Sequence, residues 1–369
     1  MRTASRSKPV RREVSVPGPS MARRLVVVLA SVLITACGGA ASHSPTAAPV
    51  DEGHVDLRLG YYANLTHATA LVGLQKGIFA QSLGSNVSLT TAIFNAGPDA
   101  VTALLSNSID ATYIGPNPAV NAYVQSHGQA IKVISGATSG GAELVVKPSI
   151  NSVSDLKGKT LATPQLGNTQ DVALRYWLLQ KGFKTNTDGS GDVAIHPTDN
   201  ATTLTAFKAG QIDGAWVPEP YATRLVAEAG GKVLVDERDL WTATGGKFAT
   251  TLLVVRTQFL KDHPITVRHL VEGQFEADAL INSDPAAAQQ AANNQLGAIA
   301  GKKLPDAEVA TAWTHMTFTD DPVAASLQQS ADHAQKVGFP SSGSLKGLFD
   351  LSVLNAVLAE KGKPTVKGL

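Results

Sequence analysis

Two similar stretches decide the fold: GYYANLTHATALVGLQKG at residues 60–77 and PQLGNTQDVALRYWLLQKG at residues 164–182. Each begins with a polar loop that suits a helix cap, continues with apolar residues at helical spacing, and ends in Gln-Lys-Gly, where the glycine predicts the helix end. Each loop also follows the end of a predicted strand. The sequence therefore predicts the same strand, loop and helix unit twice, about 105 residues apart.

A second pair of similar segments follows at nearly the same offset. TALLSNSID at residues 102–110 and TAFKAGQID at residues 205–213 each precede a short apolar strand, a proline turn and another helical pattern. Internal similarity at a repeated spacing indicates repeated structural units. Two matching pairs in the same order predict two lobes that are built alike.

Alternating strands and helices predict an α/β fold in which each lobe is a mixed sheet flanked by helices. Ligands of such sheets bind beyond the carboxyl ends of the strands, so two facing lobes predict a cleft between them. The apolar strands 143–146 and 250–255 connect the halves, and the helical run 264–361 is expected to pack back on the first lobe. The predicted bounds are 54–145 with 251–369 for lobe I, and 146–250 for lobe II.

The first 36 residues predict a secretory signal peptide. Arg23 and Arg24 precede ten apolar or small residues, which are too few to span a bilayer. The segment ends in Ile34-Thr35-Ala36-Cys37, which resembles a bacterial lipobox and implies cleavage before Cys37 and lipidation of its thiol. Residues 37–53 are small, polar and aperiodic, which predicts a flexible tether. Met21 opens a complete signal of its own and is a second candidate for the translation start.

Composition excludes several classes of site and partner. Cys37 is the only cysteine, which excludes intramolecular disulfides, cysteine-cluster metal sites and iron–sulfur clusters. The formal net charge of +1 hides an asymmetry, because residues 1–36 hold seven of the 31 Lys and Arg but one of the 30 Asp and Glu, which leaves −5 on the rest. A mildly acidic body argues against nucleic acid as a partner.

Catalytic motifs occur only as fragments. Residues 154–157 have the S-x-x-K spelling of a serine enzyme but lack its S-D-N and K-T-G companions. Residues 158–160 match only the end of a P-loop, since Val153 stands where its first glycine belongs. The nine histidines show no metal-ligand spacing. We therefore expect a binding protein with no catalytic residue, no cofactor and no metal.

The chain resembles the solute-binding proteins of ABC importers, in the branch for nitrate, taurine and aliphatic sulfonates. The motifs that carry the resemblance are the lipobox at Cys37, Gly60-Tyr61-Tyr62, Ala96-Gly97-Pro98, Ile109-Asp110, Gly115-Pro116-Asn117-Pro118, Asp155-Leu156-Lys157-Gly158-Lys159, Gly167-Asn168-Thr169 and Trp216-Val217-Pro218-Glu219-Pro220-Tyr221. It implies a two-lobed clamshell of the periplasmic-binding-protein type II, with the anionic head group held between helix N-termini in the cleft. Orphan N–H groups and the helix dipole favour an anion there.

The resemblance and the predicted cleft give ten candidate ligand-binding residues. They are Tyr61, Tyr62, Asn64, Thr66, Gly97 and Asn117 in lobe I, and Gly167, Asn168, Thr169 and Glu219 in lobe II. Adjacent strand residues point to opposite faces, so at most one of the two tyrosines is expected to reach the ligand. Asn168 and Thr169 serve as helix caps, ligand contacts or both.

Glu219 bears on the type of ligand. A carboxylate repels an anionic head group unless it meets an ammonium, so contact with Glu219 favours an amino-sulfonate such as taurine. The alternative is a solvated Glu219 in the first turn of a helix. Trp216 before this turn is expected to be core.

Aliphatic sulfonates or taurine rank first as ligand, and the alternatives are nitrate, bicarbonate and thiamine-precursor pyrimidines. Trp241 and Phe248 are the candidate aromatic clamp for a pyrimidine. The same fold also carries pyrimidine synthases of thiamine biosynthesis, whose cysteine-rich iron motif this chain lacks. The resemblance implies a lipid-anchored protein on the extracytoplasmic face of the cell membrane, with an ABC permease and its ATPase as partners.

Overall fold

The structure, a computed structural model, describes residues 52–341 and 343–369. The predicted signal peptide, Cys37 and nearly all of the predicted tether lie outside these residues. Eleven strands are formed in the described part: β1 (Val55–Tyr62), β2 (Val87–Phe94), β3 (Ala111–Ile114), β4 (Ile131–Gly140), β5 (Ala142–Val146), β6 (Thr160–Thr163), β7 (Ala194–Pro197), β8 (Gly214–Pro218), β9 (Lys232–Asp236), β10 (Ala249–Arg256) and β11 (Met316–Phe318).

Thirteen α-helices accompany the strands over the same residues. They are α1 (Ala68–Gln75), α2 (Ile78–Leu83), α3 (Gly97–Leu105), α4 (Pro116–Gln125), α5 (Thr169–Gln180), α6 (Asn200–Lys208), α7 (Tyr221–Ala229), α8 (Thr257–Asp262), α9 (Pro264–Ser283), α10 (Pro285–Ala300), α11 (Asp306–Thr314), α12 (Ala324–Lys336) and α13 (Ser352–Glu360). Both helices of the opening sequence repeat, α1 and α5, form as predicted.

The strands form two sheets with the same plan. In the first sheet the order is β11-β4-β10-β3-β1-β2, and in the second it is β7-β6-β8-β5-β9. Each sheet has three parallel strands followed by an antiparallel strand, β10 or β5, that comes from the other half of the sequence. The predicted repeat of an α/β unit with a mixed sheet is therefore confirmed.

The chain passes between the sheets twice. It crosses first at Gly141, the residue between β4 and β5, and again in residues 237–248 between β9 and β10. At the first crossing Gly140 and Gly141 have φ of +81° and +76°, a region that glycine adopts without strain. A Cβ on Gly141 would also lie 2.5 Å from Cγ of Met316.

The chain crosses to the second sheet before β5, although the predicted end of lobe I is residue 145. The sequence put residues 142–145 in lobe I, but β5 pairs with β8 and β9 of the second sheet. Four consecutive apolar or buried residues fit the centre of either sheet, so the pattern alone does not identify the partner strands. β10 likewise begins two residues before the predicted bound of 251. The lobe bounds themselves stay a prediction, because the described residues form one compact unit.

The C-terminal helices only partly follow their prediction. α9, α10 and α13 bury Leu270, Ala292 and Leu354 in the core of the first sheet, as expected. α12 instead contacts both α4 and α5, where His333 stacks on Tyr176 with ring centroids 3.6 Å apart. Helices of this run therefore join the two halves. Within the described part of the chain, no helix has the length and apolarity that crossing a membrane requires.

Candidate functional site

A small cavity lies where the carboxyl ends of the parallel strands of both sheets meet the first turns of α4, α5 and α6. Its volume is about 20 Å³. The lining residues are Tyr62, Asn64, Thr66, His67, Asn95, Gly115, Pro164, Asn168, Thr169, Gln170, Asn200, Pro218 and Thr250. Both sheets contribute, and the position matches the cleft that the strand and helix order predicts.

The wall from the first sheet is built around Tyr62. The Tyr62 ring stacks on His67 with centroids 4.2 Å apart, and the Tyr62 backbone N–H donates to His67 Nδ1 at 3.3 Å. Next to them the Thr66 hydroxyl donates to Asn64 Oδ1 at 2.6 Å. The Tyr62 hydroxyl is buried and meets no hydrogen-bond partner among the described residues. A donor is thus left for a bound molecule.

The wall from the second sheet is the start of α5. Asn168 is the N-cap, and its side chain accepts from the Gln170 N–H at 3.2 Å, so the predicted capping role is confirmed. Thr169 is the first helical residue, and its buried hydroxyl lacks a partner in the described chain. Asn200, at the start of α6, buries an equally unpartnered Oδ1.

The two walls touch at the rim of the cavity. A Cβ on Gly115 would lie 2.5 Å from the Thr169 hydroxyl, so the loop before α4 and the start of α5 are in close contact. The Leu65 N–H of the first half donates to the Glu219 carbonyl of the second half at 3.1 Å. The halves are therefore closed over the cavity.

The cavity lining carries no formal charge at neutral pH. Its two titratable side chains are Tyr62 and His67. Burial lowers the pKa of His67 to about 3, which keeps the ring neutral. Burial, together with the negative charge of Asp99, raises the pKa of Tyr62 well above its ordinary value, so the hydroxyl keeps its proton. Lys, Arg, Asp and Glu do not line the cavity.

This arrangement can bind an anion without a charged partner. Helix N-termini leave backbone N–H groups unpaired and carry the positive end of the helix dipole. The hydroxyls of Tyr62 and Thr169 add neutral donors. A volume of about 20 Å³ holds about one water molecule, so a ligand larger than this requires the walls to move apart.

Five of the ten predicted site residues line the cavity, and five do not. Those in the lining are Tyr62, Asn64, Thr66, Asn168 and Thr169. Those outside it are Tyr61, Gly97, Asn117, Gly167 and Glu219. Tyr61 and Tyr62 belong to core clusters on opposite faces of β1, as their adjacent positions predict.

The structure gives four of the excluded residues other contacts. The Tyr61 hydroxyl accepts from Gln295 at 3.2 Å. Asn117 donates to the Ser330 carbonyl at 3.0 Å, and the Gly167 N–H donates to Asp171 at 2.9 Å. Gly97 has no room for a side chain, because a Cβ there would lie 2.0 Å from Pro118. These contacts account for the four residues without a ligand.

The structure excludes one of the two predicted environments of Glu219, the solvated one. Glu219 is 0% exposed, so a solvated carboxylate is wrong. Its carboxylate accepts from the Thr223 N–H and hydroxyl and lies 2.6 Å from His315 Nδ1. Nor do Trp241 and Phe248 form an open clamp, since their rings stack on each other with centroids 5.3 Å apart.

Eight lining residues are missing from the sequence prediction: His67, Asn95, Gly115, Pro164, Gln170, Asn200, Pro218 and Thr250. Most of them have a readable signal, because they lie in the loop or helix start directly after a parallel strand. Thr250 lies on the antiparallel strand β10, where nothing in the sequence marks it. His67 follows the predicted cap by one turn and becomes visible only through its stacking on Tyr62.

Comparison with known proteins identifies the family. Residues 51–295 match the model of the NMT1-like family. The chain belongs to this family. A taurine-binding periplasmic protein from Escherichia coli (strain K12) is 28% identical to the NMT1-like chain over 219 residues, which are 58% of the chain and 64% of that protein.

Solved structures show the same fold as this NMT1-like chain. The alkanesulfonate-binding protein SsuA from Xanthomonas axonopodis pv. citri bound to MOPS gives a TM-score of 0.64 at 22% identity and covers 78% of this chain and 96% of its own. The periplasmic nitrate-binding protein NrtA from Synechocystis PCC 6803 gives a TM-score of 0.70 at 14% identity. The match covers 83% of this chain and 89% of that protein. The predicted periplasmic-binding-protein fold is confirmed, and these relatives are binding proteins, in agreement with the prediction of a non-enzyme.

Proposed function

We propose that this chain is the solute-binding protein of an ABC importer and that it captures a small anion, with an aliphatic sulfonate as the first candidate. One observation carries the proposal. The cavity joins the N-termini of helices from both halves, contains two buried hydroxyls that lack partners, and has a lining without formal charge. Such a site favours an anion that is fully ionised at neutral pH.

A solute that contacts both halves can favour closure of the cleft. A ligand shifts an open and closed equilibrium only by its difference in affinity for the two states. An anion between Tyr62 of the first half and Thr169 of the second would contact both walls only when they stand close together, slightly further apart than in this structure. Closure around the solute would then present one conformation to the permease.

The placement of Glu219 favours a simple sulfonate over taurine. Taurine carries an ammonium, which calls for an acid, and the cavity lining holds none. Glu219 is occupied by Thr223 and His315 instead. The similarity to a taurine-binding protein supports a sulfonate head group, and we propose that the amine adds nothing to binding in this chain.

Nitrate is a second candidate because of the cavity size. About 20 Å³ is less than an alkyl sulfonate needs, whereas a planar four-atom anion requires a smaller displacement of the walls. The fold shared with a nitrate-binding protein is compatible with this candidate. Bicarbonate has the same shape and stays an alternative, whereas Trp241 and Phe248, the candidate clamp for a pyrimidine, do not line the cavity.

We also propose that the protein is held at the extracytoplasmic face of the membrane by lipid on Cys37, near its permease and ATPase. The lipobox-like segment before Cys37 supports the anchor, and the family supports the partners. Tethering would raise the effective concentration of the binding protein at the permease.

Thermal unfolding of the full chain tests the assignment. The panel contains ethanesulfonate, taurine, nitrate, bicarbonate and hydroxymethylpyrimidine, each at millimolar concentration. A ligand present at 100 times its dissociation constant adds about 2.7 kcal/mol to the free energy of unfolding, which raises the midpoint by a few degrees. We expect ethanesulfonate to give the largest shift and taurine no larger one. A shift with none of the four anions would contradict the proposal.

A further inference from the structure

Two buried glutamates and a histidine meet at the junction of the two sheets. Glu143 lies in β5, Glu219 directly follows β8, and His315 connects α11 to β11. Glu143 and Glu219 thus belong to the second sheet, whereas His315 adjoins a strand of the first. None of the three lines the anion cavity. Their meeting has no role in the function proposed above.

The distances between the three side chains suit a metal ion. His315 Nδ1 lies 3.3 Å from Glu143 Oε1 and 2.6 Å from Glu219 Oε1. One potential ligand atom from each residue lies within 4.8 Å of the other two. Tetrahedral Zn²⁺ with bonds of about 2.0–2.2 Å holds neighbouring ligand atoms roughly 3.3–3.5 Å apart. The first separation already matches, and the second must widen by less than about 1 Å.

Glu143 provides an independent sign of a missing partner. Glu143 is 3% exposed, and its Oε2 has no hydrogen-bond partner in the described part of the chain. An unpaired carboxylate oxygen is costly to bury, and a bound cation removes this cost. Glu219 is also buried, so a cation here would be held by two desolvated carboxylates.

The surroundings allow a cation to enter. The His315 side chain is 23% exposed, so one of the three potential ligands is in contact with solvent. The nearby positive charge, Arg238, is engaged by Asp236 at 2.6 Å, so it does not occupy the glutamates. One imidazole nitrogen and two carboxylate oxygens are a donor set that binds Zn²⁺ and similar divalent transition metals.

We propose that Glu143, Glu219 and His315 form a binding site for one divalent transition-metal ion, with Zn²⁺ as the best-fitting probe. The ion would cross-link the two sheets outside the lining of the anion cavity. It would hold the segment between α11 and β11 against β5 and β8, where His315 already contacts both glutamates.

Zinc binding to the full chain tests this inference. The protein is stripped of metal with a chelator, the chelator is removed, and Zn²⁺ is titrated in competition with a chromogenic indicator. We expect one equivalent of Zn²⁺ to bind and to raise the thermal midpoint by several degrees. Glu143→Gln and His315→Gln are each expected to weaken this binding at least tenfold.

His54→Gln is the matched control, because His54 also lies near an acid, 3.6 Å from Asp56, but both side chains are exposed. It is expected to bind Zn²⁺ like the unchanged protein. Circular dichroism without metal shows whether each variant is folded, and Glu143→Gln decides the question if His315→Gln is not. Absence of stoichiometric binding, or unchanged affinity in the folded variants, would overturn the inference. Sulfonate binding is measured separately, so either proposal can fail without the other.

Discussion

At the residue scale, Tyr62 and Thr169 explain how an uncharged cavity can select an anion. Each buries a hydroxyl with no partner in residues 52–341 and 343–369. A buried unpaired polar group destabilises a fold, so its persistence at a cavity wall is informative. Both hydroxyls lie at the ends of elements, since Tyr62 is the last residue of β1 and Thr169 is the first residue of α5.

Tyr62→Phe separates binding from stability. Removal of the hydroxyl deletes a donor to a charged ligand, which is worth about 1.5–3 kcal/mol, so sulfonate affinity should fall about 10- to 100-fold. The unliganded protein should keep its thermal midpoint, because the hydroxyl has no partner to lose. Calorimetric titration measures the first effect and thermal unfolding the second. Tyr61→Phe is the control, with unchanged sulfonate affinity. Equal affinity of Tyr62→Phe and the unchanged protein would remove Tyr62 from the site.

The neutral state of His67 predicts how binding depends on pH. A histidine of ordinary pKa becomes positive as the pH falls through about 6.5 and would strengthen anion binding there. Burial lowers the pKa of His67 to about 3, so this gain is displaced to far lower pH. The affinity for ethanesulfonate should therefore change by less than about twofold between pH 8 and pH 5. Calorimetric titrations at these two pH values measure the affinity. A tenfold rise in affinity from pH 8 to pH 5 would show a charged histidine in the site.

At the element scale, the start of α4 and the start of α5 must come close together for the cavity to close. Gly115 precedes α4 with an ordinary φ of −73°, so alanine is allowed there by the backbone. The space is what forbids it, because a Cβ would lie 2.5 Å from the Thr169 hydroxyl. Glycine is thus required at position 115 by the closeness of α5 and not by the backbone conformation at Gly115.

Gly115→Ala is expected to hold the two helix starts apart. Sulfonate affinity should fall about tenfold or more, because the clash opposes the arrangement in which an anion contacts both walls. Gly343→Ala is the control, because a Cβ there meets nothing within 4 Å. Calorimetry on both variants measures the difference. If Gly115→Ala binds like Gly343→Ala, the walls do not close at Gly115.

The loop before α5 depends on a buried ion pair within the helix. Asp171 accepts from the Gly167 N–H at 2.9 Å and from Arg175 Nε at 3.0 Å, and both charged side chains are at most 1% exposed. Asp171 thereby fixes the loop that carries Asn168. The sequence shows both residues four apart, but only the structure shows that they are buried.

Asp171→Ala is expected to lower the free energy of unfolding by about 3–5 kcal/mol, because Arg175 is left as an uncompensated buried charge. Glu272→Ala is the matched control, since Glu272 pairs with Arg268 at the same spacing but both side chains are about one-third exposed. Its loss should cost at most about 1 kcal/mol. Denaturant unfolding compares the two. A similar loss in both variants would show that burial of the Asp171 pair adds nothing.

At the scale of the whole molecule, the sequence predicts the repeated unit well because repetition and strand-helix alternation are local patterns. From the repeated unit follow the positions of α1 and α5, the double crossing between the sheets and the position of the cleft. The predicted end of lobe I at residue 145 falls inside β5, which pairs with the second sheet, because an apolar strand fits either sheet. The packing of α12 against α5 depends on contacts between distant segments, such as the stacking of His333 on Tyr176, and leaves no periodic signal.

Half of the predicted ligand residues lie outside the cavity, because their placement also depends on contacts between distant segments. Position at a strand end brings Glu219 near the site, but side-chain direction is set by partners far along the chain. His315, 96 residues later, turns Glu219 toward the junction of the sheets. Spacing alone carries no information on such a partner.

A crystal structure of the full chain with ethanesulfonate tests the central claim most directly, because the anomalous signal of the ligand sulfur locates the head group. The account predicts one sulfur peak in the cavity, with sulfonate oxygens within hydrogen-bond distance of the Tyr62 and Thr169 hydroxyls and no acid beside the alkyl chain. Sulfonate bound elsewhere, with the cavity still closed on its volume of about 20 Å³, would contradict it.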